Sequence, residues 1–225
     1  MKRIAFYGGS FDPLHNGHLT IARTLSEVFE LDEFVFIPAF HAPHKKDKKP
    51  TSAFHRFAML ALATNGEPQI KVSKMELDVP ERPFTVETLT RLKNELQDTQ
   101  IFFVMGADSW QEITTWREWE KVLTLVNIIV VTRPDYEIGF AHVTDEIRER
   151  IVDSRVPSSK FQVPSHEKLG TWNLELGTKI YITDSVQMDI SATEIRQKIK
   201  GKRRDWREDV PQAVAKYIEK YELYK

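Results

Sequence analysis

The chain alternates short apolar runs with stretches of helical spacing. Ile4–Tyr7, Phe34–Pro38, Ile101–Met105, Asn127–Thr132 and Lys179–Thr183 are nearly continuous in apolar residues, the pattern of strands buried on both faces. Ile70–Ser73 and Met75–Leu77 are shorter runs, also read as strands. Helices are expected over Gly17–Phe29, Ser52–Thr64, Val86–Leu96, Ser109–Ile113, Glu118–Leu125, Asp145–Val152, Ile190 to Gly201 and Gln212–Tyr221. Ser191 and Glu194 form a capping-box pattern, and Pro211 suits a first helical turn. Strands of this kind separated by helices predict an α/β fold, a doubly wound, mainly parallel sheet with helices on both faces. Ligands of such sheets lie beyond the carboxyl ends of the strands. His18, Asp108 and Arg133 all follow such ends. Residues 135–178 carry the weakest pattern, without repeat or compositional break, so one domain over 1–225 is expected.

The candidate chemistry starts where the first strand stops. Gly8-Gly9-Ser10-Phe11-Asp12-Pro13 turns the chain into a helix that opens on His15-Asn16-Gly17-His18. A helix N-terminus after a glycine turn aims unpaired N–H groups and a positive dipole end at an anion. His15 and His18, three residues apart, fall on one helix face and can meet the same anion. A metal site or a polar surface would use paired histidines equally well. Zinc, however, takes three or four ligands, and neither cysteine nor a local carboxylate completes a set here.

Ser191 opens a second such N-terminus, with hydroxyls at Ser191 and Thr193 and a guanidinium at Arg196, about one and a half turns in. Ser191 also serves simply as a cap. Between these ends lies a strongly basic loop with His41, His44, Lys45, Lys46, Lys48 and Lys49. There is no GxxxxGK[ST] loop, so this is not a P-loop kinase, and no Ser-His-Asp or GxSxG arrangement suggests a covalent nucleophile.

Composition narrows the partners. The 225 residues are 41% hydrophobic, enough for a full core, and 32 basic against 33 acidic residues leave a formal charge of −1. No bulk attraction to nucleic acid or to a membrane surface follows from that balance. The chain has no cysteine, no membrane-length apolar run, and a beginning that reads as a strand rather than a signal peptide. A cytoplasmic protein is expected, with homo-oligomerisation left open.

Taken whole, Gly8-Gly9-Ser10-Phe11-Asp12-Pro13 with His15-Asn16-Gly17-His18 resembles the nucleotidyltransferase superfamily defined by an HxGH element. Ile190-Ser191-Ala192-Thr193-Glu194-Ile195-Arg196 resembles that superfamily's second signature, ISSTxxR. Four further segments resemble the bacterial nicotinate-nucleotide adenylyltransferases: Pro38–Lys45 their PxxxPPHK loop, Pro83–Leu89 their S/P-Y/F-T-V/A-x-T-L segment, Gly106–Ser109 with Trp116 their GxDS…W, and Arg133-Pro134 their RP turn. Ala42 replaces the usual proline, and Arg203-Arg204-Asp205-Trp206 is a further departure. Pantetheine-phosphate adenylyltransferases and small cytidylyltransferases share HxGH but lack the PHK loop and the GADS…W pair. A nucleotide sensor without catalysis is the alternative of another class.

The resemblance implies a Rossmann-like form of the fold. It also implies a reaction of NAD biosynthesis: ATP and nicotinate mononucleotide give nicotinate adenine dinucleotide and pyrophosphate, with Mg²⁺ bound through the ATP phosphates. His15 and His18 would be catalytic, contacting the ATP phosphates. Gly9, Ser10, Phe11, Asp108, Ile190, Ser191, Thr193 and Arg196 would complete the ATP site, Asp108 on a ribose hydroxyl. His44, Lys45, Thr85, Trp116 and Arg133 would bind the mononucleotide, Thr85 and Trp116 shaping the pyridine pocket.

Overall fold

The computed structural model describes residues 1–40, 51–78, 83–132, 137–153, 177–186 and 190–225. Its strands are β1 (Lys2–Gly9), β2 (Glu33–Pro38), β3 (Ile70–Val72), β4 (Thr99–Gly106), β5 (Asn127–Val131), β6 (Ile151–Asp153) and β7 (Ile180–Thr183). They form one sheet in the order β3-β2-β1-β4-β5-β7-β6. β2 with β3, β4 with β5, β5 with β7 and β7 with β6 pair in parallel, with Phe34 opposite Ile70 and Ile128 opposite Ile180. The helices are α1 (Asn16–Val28), α2 (Ala53–Thr64), α3 (Thr85–Glu95), α4 (Ala107–Gln111), α5 (Trp119–Leu125), α6 (Asp145–Arg148), α7 (Ala192–Lys200) and α8 (Gln212–Lys220). The expected α/β class, with its parallel sheet, is the one observed.

The chain divides into two compact units. One comprises Met1–Phe6, Thr24–Glu33 and Pro83–Gln187. Its core lies on β4, β5 and β7, where Phe102, Ile128, Ile129, Val130, Ile180 and Ile182 are fully enclosed. Phe29 packs edge-on against Phe102 and Tyr181. Arg3 is buried beside them, its guanidinium 5.6 Å from the Phe102 ring centre and 3.6 Å from Glu30. The other unit comprises Tyr7–Arg23, Phe34–Arg82 and Met188–Lys225. Its core is aromatic around Tyr7, Phe11, Phe34 and Phe36 and aliphatic where Met59, Leu60, Ile195, Val214 and Ile218 are buried.

Three local expectations are corrected. Met75–Leu77 is a turn, not a strand: Leu77 N–H and Asp78 N–H both donate to the Lys74 carbonyl, and Ser73 Oγ accepts from Met75 N–H. The helix expected over Asp145–Val152 is one turn long, capped by Thr144 Oγ1, and Ile151–Asp153 becomes β6. There the Arg150 carbonyl accepts from Ile180 N–H at 3.0 Å, so the β-branched pair Ile151-Val152 joins the sheet edge. Ser191 stands at the N-cap of α7, but its side chain makes no capping bond.

Candidate active site

Beyond Gly9 the chain turns through Ser10–Leu14 before α1 begins. Phe11 makes that turn at φ 47°, a left-handed backbone that a bulky residue adopts only where its surroundings hold it. The ring is held edge-on by Tyr7 at 5.3 Å and Phe36 at 5.2 Å. A Cβ on Gly9 would come within 2.8 Å of that ring, so only glycine fits there.

Asn16 is the first residue of α1, which puts His15 at the N-cap and His18 at the third helical position. His15 N–H donates to Nδ1 of His18 at 3.3 Å, and His18 N–H donates to the His15 carbonyl at 3.0 Å. This is half of a capping box, with imidazole in the place of the usual Glu or Gln. Helix-start geometry therefore sets the three-residue spacing. Because Nδ1 accepts, the ring proton sits on Nε2, and His18 keeps one N–H to donate. The two imidazoles stack with centroids 3.7 Å apart. A Cβ on Gly17 would lie 3.1 Å from Nδ1 of His15, so the glycine leaves room for that ring.

Burial first, and then the neighbouring His15, push the His18 imidazole well below the ordinary histidine range. Phe11, its ring centre 5.0 Å away, supplies part of that apolar wall. The free protein therefore presents a neutral donor at neutral pH. In an NMR titration the His18 ring resonances should not move around pH 6.5 but only well below it. The stability consequence has a definite sign. The unfolded chain protonates this histidine near pH 6.5 while the folded one does not, so stability should fall as the pH drops below about 6.5. His18→Ala should flatten that part of the stability profile.

The α7 residues join the same unit. Ile190 Cβ lies 3.8 Å from where a Gly17 Cβ would sit. Arg196 donates from Nη1 to the Asp12 carbonyl at 2.5 Å and from Nη2 to Thr193 Oγ1 at 3.0 Å. These two bonds use only part of the five N–H donors an arginine carries. Asp12 is itself gripped: Oδ1 accepts from Tyr224 Oη at 2.7 Å and Oδ2 from Thr51 N–H at 3.2 Å. Asn16, the variable residue of the histidine motif, donates from its backbone to Asp209 O and from Nδ2 to Glu208 O, anchoring the helix start on a 3-10 turn, Asp205–Glu208.

Arg56 was not anticipated. Its guanidinium is buried, 1% exposed, and donates to four backbone carbonyls: Ser10 at 2.6 Å, Ala39 at 2.6 Å, Phe40 at 3.1 Å and Thr51 at 2.9 Å. One fork thus ties the turn after β1 to the exit of β2 and the entry of α2. The only sequence signal was a lone arginine within the apolar helix Ala53–Thr64.

Thr85, Asp108 and Trp116 belong to the other unit. Asp108 is exposed in the first turn of α4, directly after β4, and Trp110 two residues on anchors that turn by donating to Gly139 O at 2.9 Å. Thr85 opens α3, and Trp116 is half-buried at the end of the one-turn helix Ile113–Thr115. Their chain neighbours bring the two segments together. The Arg117 guanidinium lies 4.8 Å from the Phe84 ring centre and 3.3 Å from Glu87 Oε1. His44, Lys45 and Arg133 lie outside the described residues.

A parallel α/β sheet with stacked histidines at the first helix start and an arginine held beside that turn is the frame of a nucleotidyl-transferring protein. The chain belongs to the cytidylyltransferase-like family, which it matches over residues 6–198. It is 36% identical over 225 residues to the probable nicotinate-nucleotide adenylyltransferase of Desulfatibacillum aliphaticivorans, covering 99% of each chain. It is 33% identical to that of Thermoanaerobacter sp. strain X514, covering 99% of this chain and 94% of the relative. In fold it is similar to the Plasmodium falciparum nicotinic acid mononucleotide adenylyltransferase complexed with NaAD, with a TM-score of 0.73 at 21% identity, covering 100% of this chain and 98% of that one.

Proposed function

We propose that this chain transfers the adenylyl group of ATP to nicotinate mononucleotide, releasing pyrophosphate and forming nicotinate adenine dinucleotide. The observation that carries the reading is the His15–His18 pair, capped and stacked at a helix N-terminus, with Arg196 anchored on the adjoining turn. The names of the relatives supply the acceptor.

In this reading a phosphate oxygen of the mononucleotide attacks the α-phosphorus of ATP. A new P–O bond forms, the bond from the α-phosphorus to the bridging oxygen breaks, and its electron pair leaves with pyrophosphate. The attacking phosphate is already ionised at neutral pH, so no general base is required. Catalysis rests on alignment and on stabilising charge at the phosphoryl oxygens. His18 supplies its Nε2–H to an α-phosphoryl oxygen, and His15 supports the same group. Gly9, Ser10 and Phe11 line the nucleotide with turn backbone, while Ile190, Ser191, Thr193 and Arg196 receive the β- and γ-phosphates. Asp108 takes a ribose hydroxyl. His44, Lys45 and Arg133 serve the acceptor, and Thr85 and Trp116 its pyridine ring. Mg²⁺ would be held by the ATP phosphates, where it would screen their charge. A cytoplasmic location and action of 1–225 as one nucleotidyltransferase domain belong to the same proposal.

Pyrophosphate release from Mg·ATP should depend on nicotinate mononucleotide, with no label from α-labelled ATP retained on protein. A stable adenylyl-protein would refute the direct transfer. Trp116→Ala should raise the KM for the mononucleotide roughly 10- to 100-fold and leave that for ATP nearly unchanged, since stacking on a base is worth about 1–3 kcal/mol. Equal loss toward both substrates would remove Trp116 from the acceptor pocket.

A further inference from the structure

The segment after α8 does more than end a helix. Leu223 N–H donates to Ile218 O at 3.1 Å, and Glu222 and Tyr224 adopt φ of 53° and 67°. Two non-glycine residues in left-handed backbone within three positions persist only where their surroundings over-determine them. The folded-back chain delivers the Tyr224 hydroxyl to Asp12, 212 residues earlier in sequence, at 2.7 Å. Tyr224 lies beyond the family match, which stops at residue 198.

What Asp12 does gives this contact its weight. One carboxylate oxygen takes the Tyr224 hydroxyl and the other the Thr51 N–H, while its carbonyl takes the Arg196 guanidinium. With both carboxylate oxygens held, the carbonyl points in one direction, and Arg196 is aimed by it and by Thr193. We propose that Tyr224 is a positioning residue of the ATP site, which fixes Asp12 so that Asp12 in turn holds the Arg196 guanidinium toward the triphosphate. Tyr224 touches no substrate in this scheme. Burial first, then the Asp12 charge, push its phenol far above the ordinary tyrosine range, so the hydroxyl stays protonated and keeps donating at every pH the protein meets.

The proposal rests on the assignment of Arg196 to ATP phosphates. Tyr224→Phe removes one hydroxyl and keeps the ring. It should raise the KM for ATP, and the dissociation constant measured by calorimetry, about 5- to 30-fold, leaving the KM for nicotinate mononucleotide within about twofold. In an Arg196→Ala background the same change should add nothing to the ATP defect, because the group it positions is gone. Asp12→Ala should reproduce the ATP defect and likewise abolish the effect of Tyr224→Phe. If Tyr224→Phe weakens both substrates alike, or multiplies with Arg196→Ala, the hydroxyl only stabilises the fold and the proposal fails. A wild-type protein that binds ATP but does not adenylate the mononucleotide would overturn the functional reading alone, and the calorimetric cycle would still decide the role of Tyr224. Unchanged ATP binding in Arg196→Ala would overturn both.

Discussion

His18→Ala should lose 10²- to 10³-fold in kcat, on the order of what one preorganised donor to developing phosphoryl charge contributes. Two losses are combined in that substitution. The side chain also accepts the His15 N–H, and removing a cap of this kind costs about 0.5–2 kcal/mol of stability. His18→Gln separates them. Glutamine is a normal capping-box residue at the third helical position, so its amide oxygen can take over the His15 N–H. Urea unfolding should then return close to wild type, while turnover stays low, because the amide cannot keep the stacked imidazole in place against His15. Recovery of turnover along with stability would show that a cap with any neutral N–H donor suffices and that the imidazole itself is not required.

That double duty explains how much of the site could be read from the chain alone. The histidine spacing, the glycine between them and the glycine turn before them are local features. Each has a local cause: a capping bond spanning three residues, room for the His15 ring, and room for the Phe11 ring. Strands such as Ile101–Met105 and Asn127–Thr132 were equally legible, because burial on both faces leaves an unbroken apolar run. The failures came where distant pairing decides. Ile151-Val152 extends a helical pattern on paper and is drawn into the sheet by β7, some thirty residues later. Met75–Leu77 has the composition of a strand, but Lys74 and Ser73 close a turn around it. Nothing in the sequence near Tyr224 announces a partner 212 residues away.

Arg56 is the plainest case of a residue whose importance is tertiary, and its substitution should have the largest effect on stability. Arg56→Ala leaves the carbonyls of Ser10, Ala39, Phe40 and Thr51 without their common donor. Hydrogen bonds to a charged group are worth about 1.5–3 kcal/mol each and are not additive, so a total loss of about 3–5 kcal/mol is expected. Against a typical stability of about 5–15 kcal/mol, that is a large fraction, and urea unfolding will read it directly. Arg56→Lys is the sharper test. The charge is kept, but a single ammonium is a point donor and cannot span four carbonyls on three separate chain segments. The lysine variant should therefore stay folded at modest cost, while the turn that carries Phe11, Asp12 and the histidine motif loses its fixed seat. Misplacement of a catalytic group by about 1 Å can cost 10²-fold, so kcat/KM for ATP should drop by roughly 10- to 100-fold. Lysine at 56 with wild-type kinetics would mean that any buried cation suffices, and that the guanidinium fork does not set the geometry of the phosphate turn.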